Sequence, residues 1–217
     1  MMKIALIGAS GFVGTSILNE ALERGHEVKS IVRHTNKLKE QNNLKIVEAD
    51  VMNTELLATT LSGSDIVISA YNAGWTNPNL YKEFLKGSVS IQEAVSKSGV
   101  KRLIVVGGAG SLFIAPGVQL VDTTDFPDTF RAGAAAARDY LNILKKENDL
   151  EWTFISPAIE MNPLSLHERT GTYRTGRDAP VFDENHRSKI SVEDLAVAII
   201  DEVENPRHIR VRFTVAY

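Results

Sequence analysis

Short runs of β-branched and other apolar residues alternate along this chain with longer segments in which apolar positions return every three or four residues. The runs Lys3–Ile7, Glu27–Val32, Leu44–Glu48, Asp65–Ser69 and Arg102–Val106 predict five strands. Most are apolar throughout, so both faces of their sheet must be covered, and the alternation of strand with helix is that of βαβ units laying down parallel strands. Between the strands, Val13, Ile17 and Ala21 make one helical stripe, and Phe84, Ser88, Ile91 and Val95 make another. Gly25 and Gly99 follow these stripes, where glycine favours the left-handed helix stop.

Beyond the fifth strand the pattern loosens. Gly107-Gly108-Ala109-Gly110 and the stretch from Ser111 to Thr129 carry glycine, proline and turn residues with little periodicity, which predicts a long loop. Phe130, Ala134, Ala137, Leu141 and Leu144 restore a helix, and Glu151–Ser156 gives a sixth strand. Ile190–Glu204 predicts a helix capped near Ser191, with Glu193 and Asp194 in its first turn. Arg210–Val215 closes the chain as a strand, and Met161–Lys189 is irregular enough to serve as a lid. No repeat, low-complexity tract or linker interrupts this order. Residues 1–217 therefore read as one three-layer α/β domain, with substrate-side portions within 111–129 and 157–190.

Composition narrows the partners. At 217 residues and 43% hydrophobic, the chain is long enough for one well-buried core. A net charge of −3, from 24 basic and 27 acidic residues, favours neither nucleic acid nor an anionic membrane, leaving a small molecule as the expected partner. There is no cysteine, so redox chemistry would need a cofactor. The N-terminus enters an apolar strand almost at once, and no apolar run approaches the roughly 20 residues of a membrane span, which predicts a cytoplasmic protein. No apolar stripe is singled out for self-association, so a homo-oligomer stays open.

The first strand runs into Gly8-Ala9-Ser10-Gly11-Phe12-Val13-Gly14, and a glycine-rich turn between strand and helix is the context of a Rossmann-type dinucleotide site. Gly8 permits the tight turn, Gly11 lets the backbone approach a pyrophosphate, and Gly14 lets the helix pack closely on the sheet. The helix N-terminus then offers unpaired N–H groups to the phosphates. After strand two, where NAD enzymes place an acid on the ribose hydroxyls, the chain reads Ile31-Val32-Arg33-His34. Arg33 is suited to fork onto a 2′-phosphate, which predicts NADPH in preference to NADH, with His34 and Lys37 as candidate helpers. The alternative for Arg33 is an ordinary solvated arginine. Asp50, followed by Val51 after strand three, either accepts from an adenine amino group or serves as a helix N-terminal carboxylate.

Five segments together carry a family resemblance: the glycine loop, Ile68-Ser69-Ala70-Tyr71-Asn72, Val105-Val106-Gly107-Gly108-Ala109-Gly110-Ser111-Leu112, Phe154-Ile155-Ser156-Pro157-Ala158, and Ile190-Ser191-Val192-Glu193-Asp194. Along nearly its whole length the chain resembles the atypical short-chain dehydrogenase/reductase superfamily. The likeness is to its small NAD(P)H-binding members of the NADH-flavin reductase and epimerase/dehydratase-like groups. The resemblance implies that Ala70, Tyr71 and Asn72 pass the adenosine and its ribose. It implies likewise that Gly108, Ala109, Gly110 and Ser111 lie beside the nicotinamide, and that Pro157, Ala158 and Ile159 contact the carboxamide. The residues themselves say only that these positions sit at carboxyl ends of parallel strands, where such sheets bind ligands.

One departure reshapes the expected chemistry. The family's usual catalytic pair is a Tyr followed four residues later by Lys, but here Tyr71, Tyr81, Tyr140 and Tyr173 are followed at that spacing by Trp75, Leu85, Leu144 and Arg177. Tyr140 lies on the helix where the pair belongs and is either a catalytic candidate or a packed core residue. Ser111 is either a donor to substrate or nicotinamide, or a turn cap. Hydride transfer to a flavin or quinone needs no such pair, which predicts an NADPH-dependent reductase of a planar acceptor, stacked near Trp75 and Phe113 unless these merely cap the core. A non-catalytic NADP(H) sensor fits the missing pair equally, and an epimerase or dehydratase with an unusual acid and base is a weaker third reading. His167 and His186 show no metal-ligand spacing, so no metal is expected.

Overall fold

The β-branched and apolar runs become the central strands, and the amphipathic stripes become helices that cover them. The computed structural model describes residues 1–35, 38–164 and 167–217. In order the elements are β1 (Lys3–Ile7), α1 (Phe12–Glu23), β2 (Glu27–Val32), β3 (Leu44–Glu48), α2 (Thr54–Leu61), β4 (Ile66–Ser69), α3 (Leu80–Ser98) and β5 (Arg102–Val106). There follow β6 (Phe113–Ala115), β7 (Val118–Gln119), α4 (Asp128–Leu144), β8 (Glu151–Ser156), β9 (Arg174–Gly176), α5 (Val192–Glu204) and β10 (Val211–Ala216). One sheet runs β3-β2-β1-β4-β5-β8-β10-β9, parallel except for β9 against β10.

Alternation along each strand splits the core in two. Ala5 and Ile7 of β1 face the α2, α3 and α4 layer with Leu57, Phe84, Ile91 and Leu141, whereas Ile4 and Leu6 face α1 and α5 with Ile17, Leu18, Leu195 and Ile199. The result is the expected three-layer Rossmann-like α/β fold. Its strand order reverses between β1 and β4, the switch point outside which such sheets bind ligands.

Departures from the expected elements are local. β4 starts one residue late, the last strand runs one residue later at each end, and α5 begins at Val192 because Ser191 is its N-cap, accepting from the Asp194 N–H at 3.0 Å. α2 has no counterpart in the sequence reading; Asn53 caps it by accepting from Leu56 N–H at 3.2 Å. The expected loop from Ser111 to Thr129 holds a hairpin, β6–β7, turned at Gly117 with φ +75°, and the start of α4. Part of the expected lid is fastened down. Arg169 pairs with the buried Glu20 of α1 at 2.9 Å, Asp194 accepts from the N–H groups of Thr170 and Gly171, and the Tyr173 hydroxyl donates to Asp201 at 2.6 Å.

Candidate functional site

The turn after β1 tolerates nothing larger than glycine at two of its three glycines. Gly8 has φ +83°, and a Cβ there would lie 2.6 Å from the Ala70 carbonyl oxygen, so the turn rests directly on the end of β4. A Cβ on Gly14 would lie 2.0 Å from the Gly8 carbonyl oxygen, because the first turn of α1 folds back on the loop. Gly11 donates to Gly8 O at 3.0 Å, and the Thr15 hydroxyl donates to the carbonyls of Gly11 and Ala9 at 2.8 and 3.2 Å. With Gly11 as N-cap, no side chain caps α1 and no acid stands in its first turn. The N–H groups around Phe12 and Val13 therefore face outward beside Ala9 and Ser10, with the positive end of the helix dipole behind them. Such an open helix N-terminus is suited to cradle a pyrophosphate.

On one side of that cradle stand the residues expected to hold the adenosine half. Arg33 and His34 are exposed at the end of β2, and Arg33 makes no hydrogen bond or ion pair among the described residues. Lys37 lies outside the described residues. Asp50 is exposed and accepts from Met52 N–H at 2.9 Å, opening the turn that leads to α2, while Val51 is buried. The Tyr71 hydroxyl donates to the Glu83 carbonyl at 3.1 Å, and its ring lies against Gly87 of α3. Burial pushes the Tyr71 phenol up to about 12, with Arg33 opposing and Glu83 and Asp50 reinforcing the shift. Arg33 and Asp50 thus act on one group from two strand ends. Asn72 spends its side-chain oxygen on Gly74 N–H at 2.7 Å.

The other side is organised by close packing. A Cβ on Gly107 would enter the Phe154 ring, and one on Gly110 would meet Ala134 at 2.8 Å, so these glycines let the loop press onto β8 and α4. Gly108 alone in that run has room, its nearest neighbour being Ala137 at 3.9 Å. Ala109 opens the short 3-10 turn that ends at Ser111. Pro157 and Ala158 are buried behind the loop, and Ile159 N–H donates to the Ser188 hydroxyl at 3.4 Å. Trp75 is 52% exposed, packed on Gly133 and edge-on to Phe130 at 5.4 Å, while Phe113 is half-buried and donates its N–H to Asp178 O. Phe12 also lines a recess of about 210 Å³ with Met161, Asn162, His167 and Val192.

The two residues expected to move protons lie inside. Ser111 is 1% exposed, with its hydroxyl accepting from Arg212 at 3.1 Å. Tyr140 is 1% exposed among Leu141, Leu144 and Phe154, its hydroxyl lacks a hydrogen-bond partner among the described residues, and burial pushes its phenol far up. It sits one helical turn deeper than Ala137, away from the carboxyl edge of the sheet. The sequence reading did not find Arg212 or Asp178, since an arginine inside a strand signals exposure until its partner is known. Among the described residues no group of three or more His, Asp or Glu side chains is placed to hold a metal ion, and no helix is long and apolar enough to cross a membrane.

A doubly wound sheet with a glycine turn and an open helix N-terminus at its switch point is the architecture of dinucleotide-binding proteins. The chain belongs to the NAD(P)H-binding family, whose family model matches residues 8–206. It is 40% identical over 216 residues to the uncharacterized protein YwnB of Bacillus subtilis, covering 99% of this chain and 98% of that one. Among solved structures, a candidate epimerase from Bacteroides thetaiotaomicron is 47% identical with a TM-score of 0.91, covering 100% of this chain and 97% of that one. A candidate NADH-flavin reductase from Streptococcus pneumoniae is 37% identical with a TM-score of 0.87, over 100% and 99%. These relatives belong to the atypical short-chain dehydrogenase/reductase group that the motifs pointed to.

Proposed function

We propose that the chain is an NADPH-dependent oxidoreductase that serves hydride transfer to a planar acceptor of the flavin or quinone class, working in the cytoplasm as a single domain. The observation that carries this reading is the pairing of an exposed Trp75 at the carboxyl edge with burial of both proton-transfer candidates, Ser111 and Tyr140. A reduced nicotinamide dinucleotide, when bound, supplies the hydride. The glycine loop binds its pyrophosphate, Arg33 its 2′-phosphate, and the exposed ring of Trp75, braced edge-on by Phe130, offers an apolar surface on which an electron-poor ring can rest. Such an acceptor takes its proton from water, so a site without a titrating donor suffices.

The test is oxidation of NADPH followed at the reduced-nicotinamide absorbance with FMN, riboflavin or a small quinone. Arg33→Ala raises the NADPH dissociation constant about tenfold or more, one charge-assisted hydrogen bond being worth about 1.5–3 kcal/mol, and leaves NADH nearly unaffected. Equal effects on both cofactors would sink the NADPH assignment. Burial of Ser111 and Tyr140 also favours a second reading, a non-catalytic NADP(H) sensor. Tight NADPH binding without turnover on any acceptor, with unequal affinity for the oxidised and reduced forms, selects the sensor.

A further inference from the structure

The loop after β5 is tied to the rest of the sheet by a charge that the fold buries. Arg212 stands on β10 opposite Phe154 of β8, with its side chain only 2% exposed. A guanidinium withdrawn from water needs partners for its donors. Nε and Nη2 donate to Asp178 Oδ1, the former at 3.0 Å, and Nη1 donates to both the carbonyl and the hydroxyl oxygen of Ser111, each at 3.1 Å. The Gln119 side chain donates to the same carbonyl at 2.9 Å, and the Asp178 backbone accepts from Phe113 N–H at 2.8 Å. Because Arg212 occupies one lone pair of the Ser111 hydroxyl, that group turns its own proton toward the Gly108 carbonyl or the Ser156 hydroxyl, both at 3.3 Å. The turn Ala109–Ser111 is thus held by α4 through Gly110 and by β10 through Arg212.

We propose that Arg212 is a positioning residue that, acting through Ser111, sets the Gly108–Ser111 backbone as the seat of the nicotinamide half of the dinucleotide. The inference rests on the NAD(P)H reading of the site. The phosphate cradle lies at the switch point, and Arg33 and Asp50 mark the ends of β2 and β3 on one side of it. The other half of a dinucleotide then runs across the ends of β4 and β5, as the two-halved architecture requires. Past β4, the next strand end carries Gly108–Ser111, and Gly108 is the position there with open space. A hydroxyl alone would leave this short turn free to rock. The planar, multiply bonded guanidinium removes that freedom, and a lysine in its place would offer a single point of attachment.

The experiment compares wild type, Arg212→Met, Arg212→Lys and Asp178→Asn for binding of NADPH and of 2′-phospho-ADP-ribose, which lacks the nicotinamide. Calorimetry gives the affinities, and nicotinamide fluorescence reports the surroundings of the ring. Arg212→Met is expected to weaken NADPH about tenfold and to shift the emission of the bound ring, with 2′-phospho-ADP-ribose held within about twofold, as loss of one charge-assisted contact predicts. Arg212→Lys restores part of that loss. Asp178→Asn, whose side chain is largely exposed and folds without difficulty, falls between wild type and Arg212→Met and carries the test if the latter does not fold. Equal weakening of both ligands, or unchanged NADPH binding and emission in the folded variants, overturns the proposal. A wild type that binds neither ligand overturns the dinucleotide reading, and this inference with it.

Discussion

An alanine at position 14 would test the phosphate cradle with a single methyl group. Its Cβ would lie 2.0 Å from the Gly8 carbonyl oxygen, whereas ordinary contact begins near 3.4 Å, so the first turn of α1 has to retreat by the difference, about 1.4 Å. Alanine stabilises a helix interior by about 1 kcal/mol over glycine, while overpacking costs about 1–3 kcal/mol. The net loss, about 0–2 kcal/mol, lowers Tm by at most about 8 °C in a chain of this size. Binding suffers more. A displacement above 1 Å breaks at least one N–H contact to an anionic phosphate, worth about 1.5–3 kcal/mol, and raises the NADPH dissociation constant about 10- to 150-fold. Gly25→Ala is the control: Gly25 has φ +79° with nothing within 4 Å of the added carbon, so it loses about 1–2 kcal/mol of stability through backbone strain and leaves affinity unchanged. Thermal melts and calorimetric titration of the two variants separate the effects. If Gly14→Ala binds NADPH as tightly as Gly25→Ala, the turn is not where the phosphates sit.

Two further outcomes follow from the same geometry. Trp75→Ala raises the KM for the acceptor about 5- to 150-fold, the range for stacking a planar heterocycle on an aromatic side chain, and leaves the NADPH dissociation constant unchanged; an unaltered KM places the acceptor elsewhere. Burial pushes the Asp194 carboxyl up, but the bonds it accepts from Tyr217 and from the N–H groups of Thr170 and Gly171 outweigh this and hold it below the ordinary carboxylate value. Its stabilising contribution is therefore complete above the unfolded value, about 4, and drains away as pH falls through the folded value. Asp194→Asn lowers Tm at neutral pH and flattens the fall in stability below about pH 4; melting profiles parallel to wild type across that range would contradict the clamp.

Strands buried on both faces write nearly continuous apolar runs into the sequence, which is why β1, β5 and β8 were readable to the residue, while β2 and the edge strand β3 were legible from their β-branched residues despite the charged positions among them. α2 escaped because its eight residues include three threonines and bury only Leu57, Ala58 and Leu61, too short a stripe to stand out. The β6–β7 hairpin left one usable trace, Pro116-Gly117, a turn pair between short β-prone stretches. The phosphate loop was legible because its chemistry lies in seven consecutive residues. Ser111 and Tyr140 were not, since whether a hydroxyl faces solvent depends on partners distant in the chain: Arg212 is 101 residues beyond Ser111. The roles of the glycines after β5 were equally hidden, because the ring and the methyl that Gly107 and Gly110 make room for belong to β8 and α4.

The fastening of residues 169–173 onto α1 and α5 has a use in engineering. Glu160 is moored at the near end by its N–H to the Ser188 carbonyl at 2.8 Å and by its bridge to Lys189, and the Arg169, Thr170 and Tyr173 attachments moor the far end. Exchanging Met161, Asn162 and His167, which lie between these two anchorages, alters one wall of the Phe12 recess. Those three positions are thus a compact library target for reshaping the recess, flanked on both sides by ties that keep the chain in place.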